Sequence, residues 1–232
     1  MTNTRQMFFA VKEIMDEFDE ILKNNIKFDV VTIVGEGEPT LYLGLGELIS
    51  EIQKRTNKPV AIITNGALFY DADLRKELYN ADIVLPTLDA YDDESFKKIN
   101  RPHGSIDFAM VNDGLKTFSE EYQGQLWIEL MLIKGINDDA ESLNKYSEIL
   151  KKLKYEKLYI NTPVRSPSEY FVKAIAHEKM NHAVAVLGGI SIDLLKSQGF
   201  HSEIKDDKDA ILSIVKRHPM NKFEIEGFLN SR

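Results

Sequence analysis

Two carboxylates set between glycines, in Gly35-Glu36-Gly37-Glu38-Pro39, follow an apolar and β-branched run from Phe28 to Val34. The run is too short for a helix and reads as a strand, while the glycines permit backbone geometry and close ligand approach that other residues resist. Such a strand end suits a cation. An ammonium group offers only donors, so backbone carbonyls with Glu36 or Glu38 beside them would receive it. Alone, the stretch also reads as a polar turn leading into a helix. Four further apolar runs end in the same way, in Thr64-Asn65-Gly66, in Thr87-Leu88-Asp89, in Lys134-Gly135-Ile136-Asn137-Asp138 and in Asn161-Thr162-Pro163-Val164-Arg165. Five polar strand ends that converge on one mouth are a binding site rather than five unrelated turns.

The elements that must position these residues alternate. An amphipathic helix is predicted over Arg5 to Lys23, with Phe8, Phe9, Val11, Ile14, Met15, Phe18, Ile21 and Leu22 at helical spacing. After the first strand come a helix over Tyr42 to Thr56, a strand over Pro59 to Thr64 and a helix over Asp71 to Tyr79. A third strand over Asp82 to Leu88 leads to helices within Asp92 to Ile99 and Ile106 to Glu121. A fourth strand, Leu126 to Ile133, is followed by a helix through Leu153, and the fifth strand is Lys157 to Ile160. Short strands alternating with amphipathic helices imply a parallel sheet with right-handed crossovers. The expected fold is therefore α/β, a partial TIM-like (β/α) barrel over residues 1–198, with a small helix-turn-helix-like appendage over 199–232.

Composition narrows the function. The 232 residues have the apolar (43%) and charged (28%) content of a globular protein, and no apolar run approaches a membrane span. Lys12 and the acidic residues after it argue against a secretory signal at the start, so a cytoplasmic protein with no membrane partner is expected. A net charge of −8 argues against nucleic acid as a partner. The chain contains no Cys, which excludes thiolate catalysis and Cys-ligated metal in these residues.

The ordered series Gly35-Glu-Gly-Glu-Pro39, Ile63-Thr-Asn-Gly66, Leu85-Pro-Thr-Leu-Asp89, Leu132-Ile-Lys-Gly-Ile-Asn-Asp138 and Asn161-Thr-Pro-Val-Arg165 resembles the radical S-adenosylmethionine (radical SAM) superfamily. Within it the chain is most similar to uncharacterised Fe-S oxidoreductases near the molybdenum-cofactor cyclisation enzyme. The resemblance implies S-adenosylmethionine as cofactor, with Gly35, Glu36, Gly37 and Glu38 receiving the methionine ammonium and Thr64 and Asn65 reaching it from the next strand. It implies Thr87 and Asp89 near the ribose or the methionine carboxylate, and Lys134, Asn161 and Arg165 on the adenine and substrate side. It also implies a 4Fe-4S cluster held by a CxxxCxxC loop after a first strand, an unknown small-molecule or peptide substrate and a reductant protein. Neither that strand nor any cluster ligand is found here. Either both precede Met1 in the gene, or the chain is a relative that has shed the chemistry and kept binding.

Three functions follow. The first is the core of a radical SAM oxidoreductase; the second is a non-catalytic module that binds S-adenosylmethionine or a nucleoside; the third is a metal-independent acid–base barrel enzyme using Glu36, Glu38 and Lys134.

Other candidates are weaker. Asn100-Arg-Pro-His-Gly104 reads either as a helix stop, with Arg101 and His103 neutralising the helix end, or as a clamp for a substrate carboxylate. His177 and His182 are five apart, which turns the second about 140° from the first and leaves no metal pair. Gly44-Leu-Gly46 lacks a dinucleotide fingerprint. Glu129, among apolar residues, needs a partner such as Lys134 or Arg165, and Trp127 reads as core. In the tail, a helix over Asp207 to Arg217 and a last one from Asn221 through Leu229 form a packing or partner-binding appendage.

Overall fold

One strand shows how the sheet is built. β4 (Gln125–Met131) buries Leu126, Ile128 and Leu130 completely or nearly so, while Trp127, Glu129 and Met131 alternate with them and stay half-buried. Successive side chains of a strand point to opposite faces, so β4 has one face under helices and one face open. The structure, a computed structural model, describes residues 2–24, 26–35, 37–163, 169–192, 202, 204–215, 220 and 222–230.

The six described strands are β1 (Val31–Ile33), β2 (Val60–Thr64), β3 (Ile83–Pro86), β4, β5 (Lys157–Asn161) and β6 (Ile190–Ser191). They lie side by side in sequence order, all parallel, with β1 and β6 at the edges. This singly wound order is that of a partial (β/α) barrel, as the alternation implies. Between the strands run α1 (Val11–Lys23), α2 (Leu45–Arg55), α3 (Ala72–Leu78), α4 (Asp93–Ile99), α5 (Phe108–Glu121), α6 (Ala140–Leu150) and α7 (His177–Leu187). Four of them start at an aspartate cap: Asp71, Asp92, Asp107 and Asp139 each accept a backbone N–H of the turn that follows. The core lies between helices and sheet, where Val60, Ile62, Val84, Ile128 and Ile160 meet Leu45, Ile49, Leu74, Phe118 and Tyr146.

Two expectations are corrected. The first helix begins at Val11, not Arg5, because tertiary bonds tie Arg5 and Gln6 to other parts of the chain. The Gln6 backbone exchanges hydrogen bonds with Leu41 and Leu43, at 2.9 and 3.1 Å. The Arg5 guanidinium meets both Glu77 oxygens at 2.7–2.8 Å and donates to the carbonyls of Thr40 and Tyr42 at 2.9 and 3.0 Å. Phe8 and Phe9, expected on the helix, are exposed and line an apolar groove of about 700 Å³ between α1 and β1. The Arg5–Glu77 pair is only 12% and 26% exposed. Arg5→Ala should therefore cost about 2–3 kcal/mol by urea denaturation, since it strands a largely covered carboxylate. A loss below about 0.5 kcal/mol, the worth of an exposed pair, would show that water replaces the guanidinium.

The second correction is an added unit, α7 and β6, which carries a weak signal. The buried face of α7 has only Met180, Ala183 and Leu187, and β6 is two residues long. The readable clue was Gly188-Gly189. Gly188 ends the helix at φ +74°, and a Cβ on Gly189 would lie 2.8 Å from the Ile160 side chain of β5. His177 and His182 are both exposed on α7, and among the described residues no group of acidic or histidine side chains could hold a metal. Beyond β6, α8 (Asp207–Val215) and α9 (Lys222–Asn230) take the tail helices predicted there. No helix among the described residues is long and apolar enough to cross a membrane.

Candidate functional site

The loop after β1 is closed by Glu38. Its carboxylate accepts from the Thr40 N–H (3.0 Å) and hydroxyl (2.7 Å), from the Thr64 hydroxyl (2.5 Å) and from the Asn65 N–H (2.8 Å). Thr64 and Asn65 end β2, so one side chain ties two strand ends together. Pro39 begins a single 3₁₀ turn, Pro39–Leu41, capped by the same carboxylate. Gly35 and Gly37 are exposed before it, and a Cβ on Gly35 would stand 3.3 Å from the Gly37 carbonyl oxygen, a contact that a larger residue could make only with a small shift of its neighbour. The structure thus brings Gly35, Gly37, Glu38, Thr64 and Asn65 to one rim. Glu36 lies outside the described residues.

A second group gathers on the open face of the sheet. Register places Thr87 beside Glu129, Glu129 beside Tyr159 and Met131 beside Asn161. The Asn161 amide donates to Glu129 at 3.2 Å, so Asn161 is the partner of that carboxylate, not Lys134. Arg165, the other partner expected for it, lies outside the described residues. The Asp89 carboxylate accepts the Met131 N–H at 3.0 Å. Burial pushes the Asp89 carboxyl up to about 7; the Met131 bond opposes this, and the charge of Glu129 adds to it. The Thr87 N–H donates to the Thr64 carbonyl at 3.1 Å, which joins the two groups along the carboxyl ends of β2 and β3.

The loop after β4 differs from expectation. Lys134 is exposed on its turn, and among the described residues its ammonium has no ion-pair partner. Asn137, two residues beyond Gly135, is fully buried and turned inward. Its amide oxygen accepts the Ile133 N–H at 2.7 Å, and its amide nitrogen donates to the Met131 carbonyl, the Tyr146 hydroxyl and the Asp89 carbonyl, at 2.9, 2.9 and 3.3 Å. Tyr146 also donates to the Asp89 carbonyl at 2.6 Å. Sequence reasoning had no signal for Tyr146, which reads as an ordinary core aromatic of α6. Asp138 is likewise 3% exposed and paired with Lys179 of α7 at 2.6 Å.

Trp127 is not core either. It stands half-buried on the open face, with the Lys157 ammonium 3.9 Å above its ring centre and Tyr159 edge-on to it. The Arg101 guanidinium does not neutralise the end of α4; it pairs with Glu169 at 2.9 Å, while its backbone N–H caps the Phe96 carbonyl. Of the residues of the acid–base reading, Glu36 lies outside the described residues, Glu38 is engaged by Thr40, Thr64 and Asn65, and Lys134 is exposed.

Comparison with known proteins agrees with this fold. The description "Radical SAM superfamily" matches residues 2–146. A UPF0026 protein of Methanocaldococcus jannaschii is 34% identical over 99% of this chain and 74% of its own length. A protein of Brachyspira hyodysenteriae named GTPase Obg is 41% identical over 76% of this chain, which spans only 26% of that relative. Among solved structures, Streptococcus suis SuiB bound to S-adenosylmethionine superposes with a TM-score of 0.58 over 78% of this chain and 41% of SuiB, at 16% identity.

Proposed function

Because this chain belongs to the radical SAM superfamily and to the UPF0026 family, we propose that it is the S-adenosylmethionine-binding body of a radical enzyme. The observation that carries this reading is the bridge from Glu38 to Thr64 and Asn65, which holds the glycine loop and the end of β2 as one rim beside Thr87 and Asp89. In this reading the rim takes the methionine ammonium of the cofactor. The loop suits it, because an ammonium has only protons to give: Glu38, its carboxylate already engaged by Thr40, Thr64 and Asn65, fixes the rim, and the glycine loop beside it offers backbone carbonyls open to close approach. Thr87 and Asp89 stand one strand further along, where hydroxyl groups of a ribose would find acceptors. Asn161 and Glu129 form the floor on the open face.

The superfamily pairs this cofactor with a 4Fe-4S cluster, and the residues of this chain do not fit one. Cluster ligation needs thiolates, and the sequence contains no Cys. No step through a cluster is therefore assigned to these residues, whose part is to bind and orient the cofactor. The same observation favours a second reading, that the chain binds S-adenosylmethionine without cleaving it.

Calorimetric titration of the chain with S-adenosylmethionine tests both. Saturable heat is expected, and Glu38→Ala should weaken binding by about tenfold, because the glycine loop and the end of β2 are then no longer held together. Absence of heat with S-adenosylmethionine and S-adenosylhomocysteine would overturn both readings.

A further inference from the structure

We propose that the cleft beside the Glu38–Asn65 junction is a second subsite, which takes an anionic oxygen group of the substrate on Arg101. The cleft encloses about 300 Å³ and is lined by Glu38 and Asn65 on one side and by Asn100, Arg101 and His103 on the other. That volume is at the lower end for small-molecule pockets and fits a head group.

Three features separate this from a helix stop. Arg101 has φ +48°, alone among the described non-glycine residues, and it precedes Pro102. A left-handed conformation is costly for any side chain, and the following proline further restricts the residue before it. Glycine at this position would stop α4 without strain, so the side chain must justify the backbone. Second, the amide oxygen of Asn100 is buried with no hydrogen-bond partner among the described residues. Third, among the described residues the Arg101 guanidinium is held only by Glu169, in a pair 53% and 37% exposed. An exposed pair contributes little, so an incoming anion can exchange with Glu169.

The chemistry of the ligand follows. A guanidinium fork grips a carboxylate or a phosphate with two parallel bonds. His103 lies two residues on, its Nδ1 joined to the Ser105 hydroxyl at 2.8 Å. The Glu38 carboxylate, the one acidic group among the described residues of the cleft wall, already accepts two hydrogen bonds from Thr40 and one each from Thr64 and Asn65. The orphan Asn100 oxygen calls for a donor on the same ligand. The substrate class is therefore a small acid or phosphate ester that also carries a hydroxyl or amino group. This rests on the cofactor reading only for its placement next to the cofactor rim.

The test uses the ¹⁵N-labelled chain titrated separately with inorganic phosphate, glycolate and acetate. Shifts are expected at Asn100, Arg101, His103 and Gly104, with glycolate tighter than acetate because its hydroxyl serves Asn100. Arg101→Gln should weaken binding at least tenfold, and Glu169→Gln should tighten it severalfold by removing the competitor. Arg101→Gly should keep or raise the thermal midpoint while losing the response. Shifts that are absent with all three anions, or unchanged in both Arg101 variants, overturn the proposal. Stronger binding of phosphate or of glycolate supports it and tells a phosphate ester from a hydroxy acid. S-adenosylmethionine is titrated alongside: loss of its response at Gly35 and Gly37 with the anion response intact would remove the cofactor reading and leave this subsite standing.

Discussion

Asn137→Ala should lower the unfolding free energy by about 3–5 kcal/mol, measured by urea denaturation, because it leaves several buried groups without partners. The Ile133 N–H and the Met131 carbonyl both depend on this one amide, which is fully buried. Each orphaned group costs about 1–3 kcal/mol, and the cavity adds to that. Asn137→Asp should be no milder. It keeps an acceptor for Ile133 but turns a carboxylate toward the Asp89 and Met131 carbonyls that the amide now serves. Binding should fall with stability, since Asn137 and Tyr146 together hold the Asp89 carbonyl. A loss under about 1 kcal/mol would mean that water enters and satisfies these groups.

Asp89→Asn should act in the opposite direction, and only above acidic pH. Burial, aided by the Glu129 charge and opposed by the Met131 bond, raises the Asp89 carboxyl from 3.8 to about 7. A carboxyl with a folded pKa above its unfolded one takes up a proton on folding. Its contribution is then fully present below about pH 4, declines as pH rises, and is lost above about pH 7. Roughly three pKa units correspond to about 4 kcal/mol at full ionisation. Asparagine has no proton to lose and retains an acceptor for the Met131 N–H. The variant should therefore match the parent near pH 3.5, gain on it steadily to about pH 7 and hold a constant advantage above that. Thermal unfolding across this range measures the difference, and an advantage independent of pH would place Asp89 at an ordinary carboxylate pKa. Because Asp89 sits beside Thr87 on the proposed cofactor rim, affinity for S-adenosylmethionine should also change between about pH 6 and 8.

Much of the architecture was legible because it is local. Alternation of short β-branched runs with helical spacing identified β1 to β5 and most helices, and the aspartates before α3, α4, α5 and α6 cap them as such residues do. The misread places are those where distant bonds overrule local spacing. Phe8 and Phe9 fit a helix by spacing, yet Arg5 is drawn to Glu77, seventy-two residues away. β6 is too short to show a pattern, and α7 buries so few apolar side chains that its period is faint.

The candidate site divides in the same way. The sequence by itself determined that polar residues cluster after the strands and that no thiolate is present in these residues, because both are matters of order and composition. Only the tertiary structure decided which of those residues meet at the strand ends and which turn inward. Glu38 is engaged from β2 by Thr64, twenty-six residues away, Glu129 finds Asn161 across one strand, and Asn137 turns inward while Lys134 remains outside. The physical reason is that a polar side chain is claimed by whatever donor or acceptor the sheet register brings within about 3 Å, and register is a relation between strands that spacing along one chain segment does not contain.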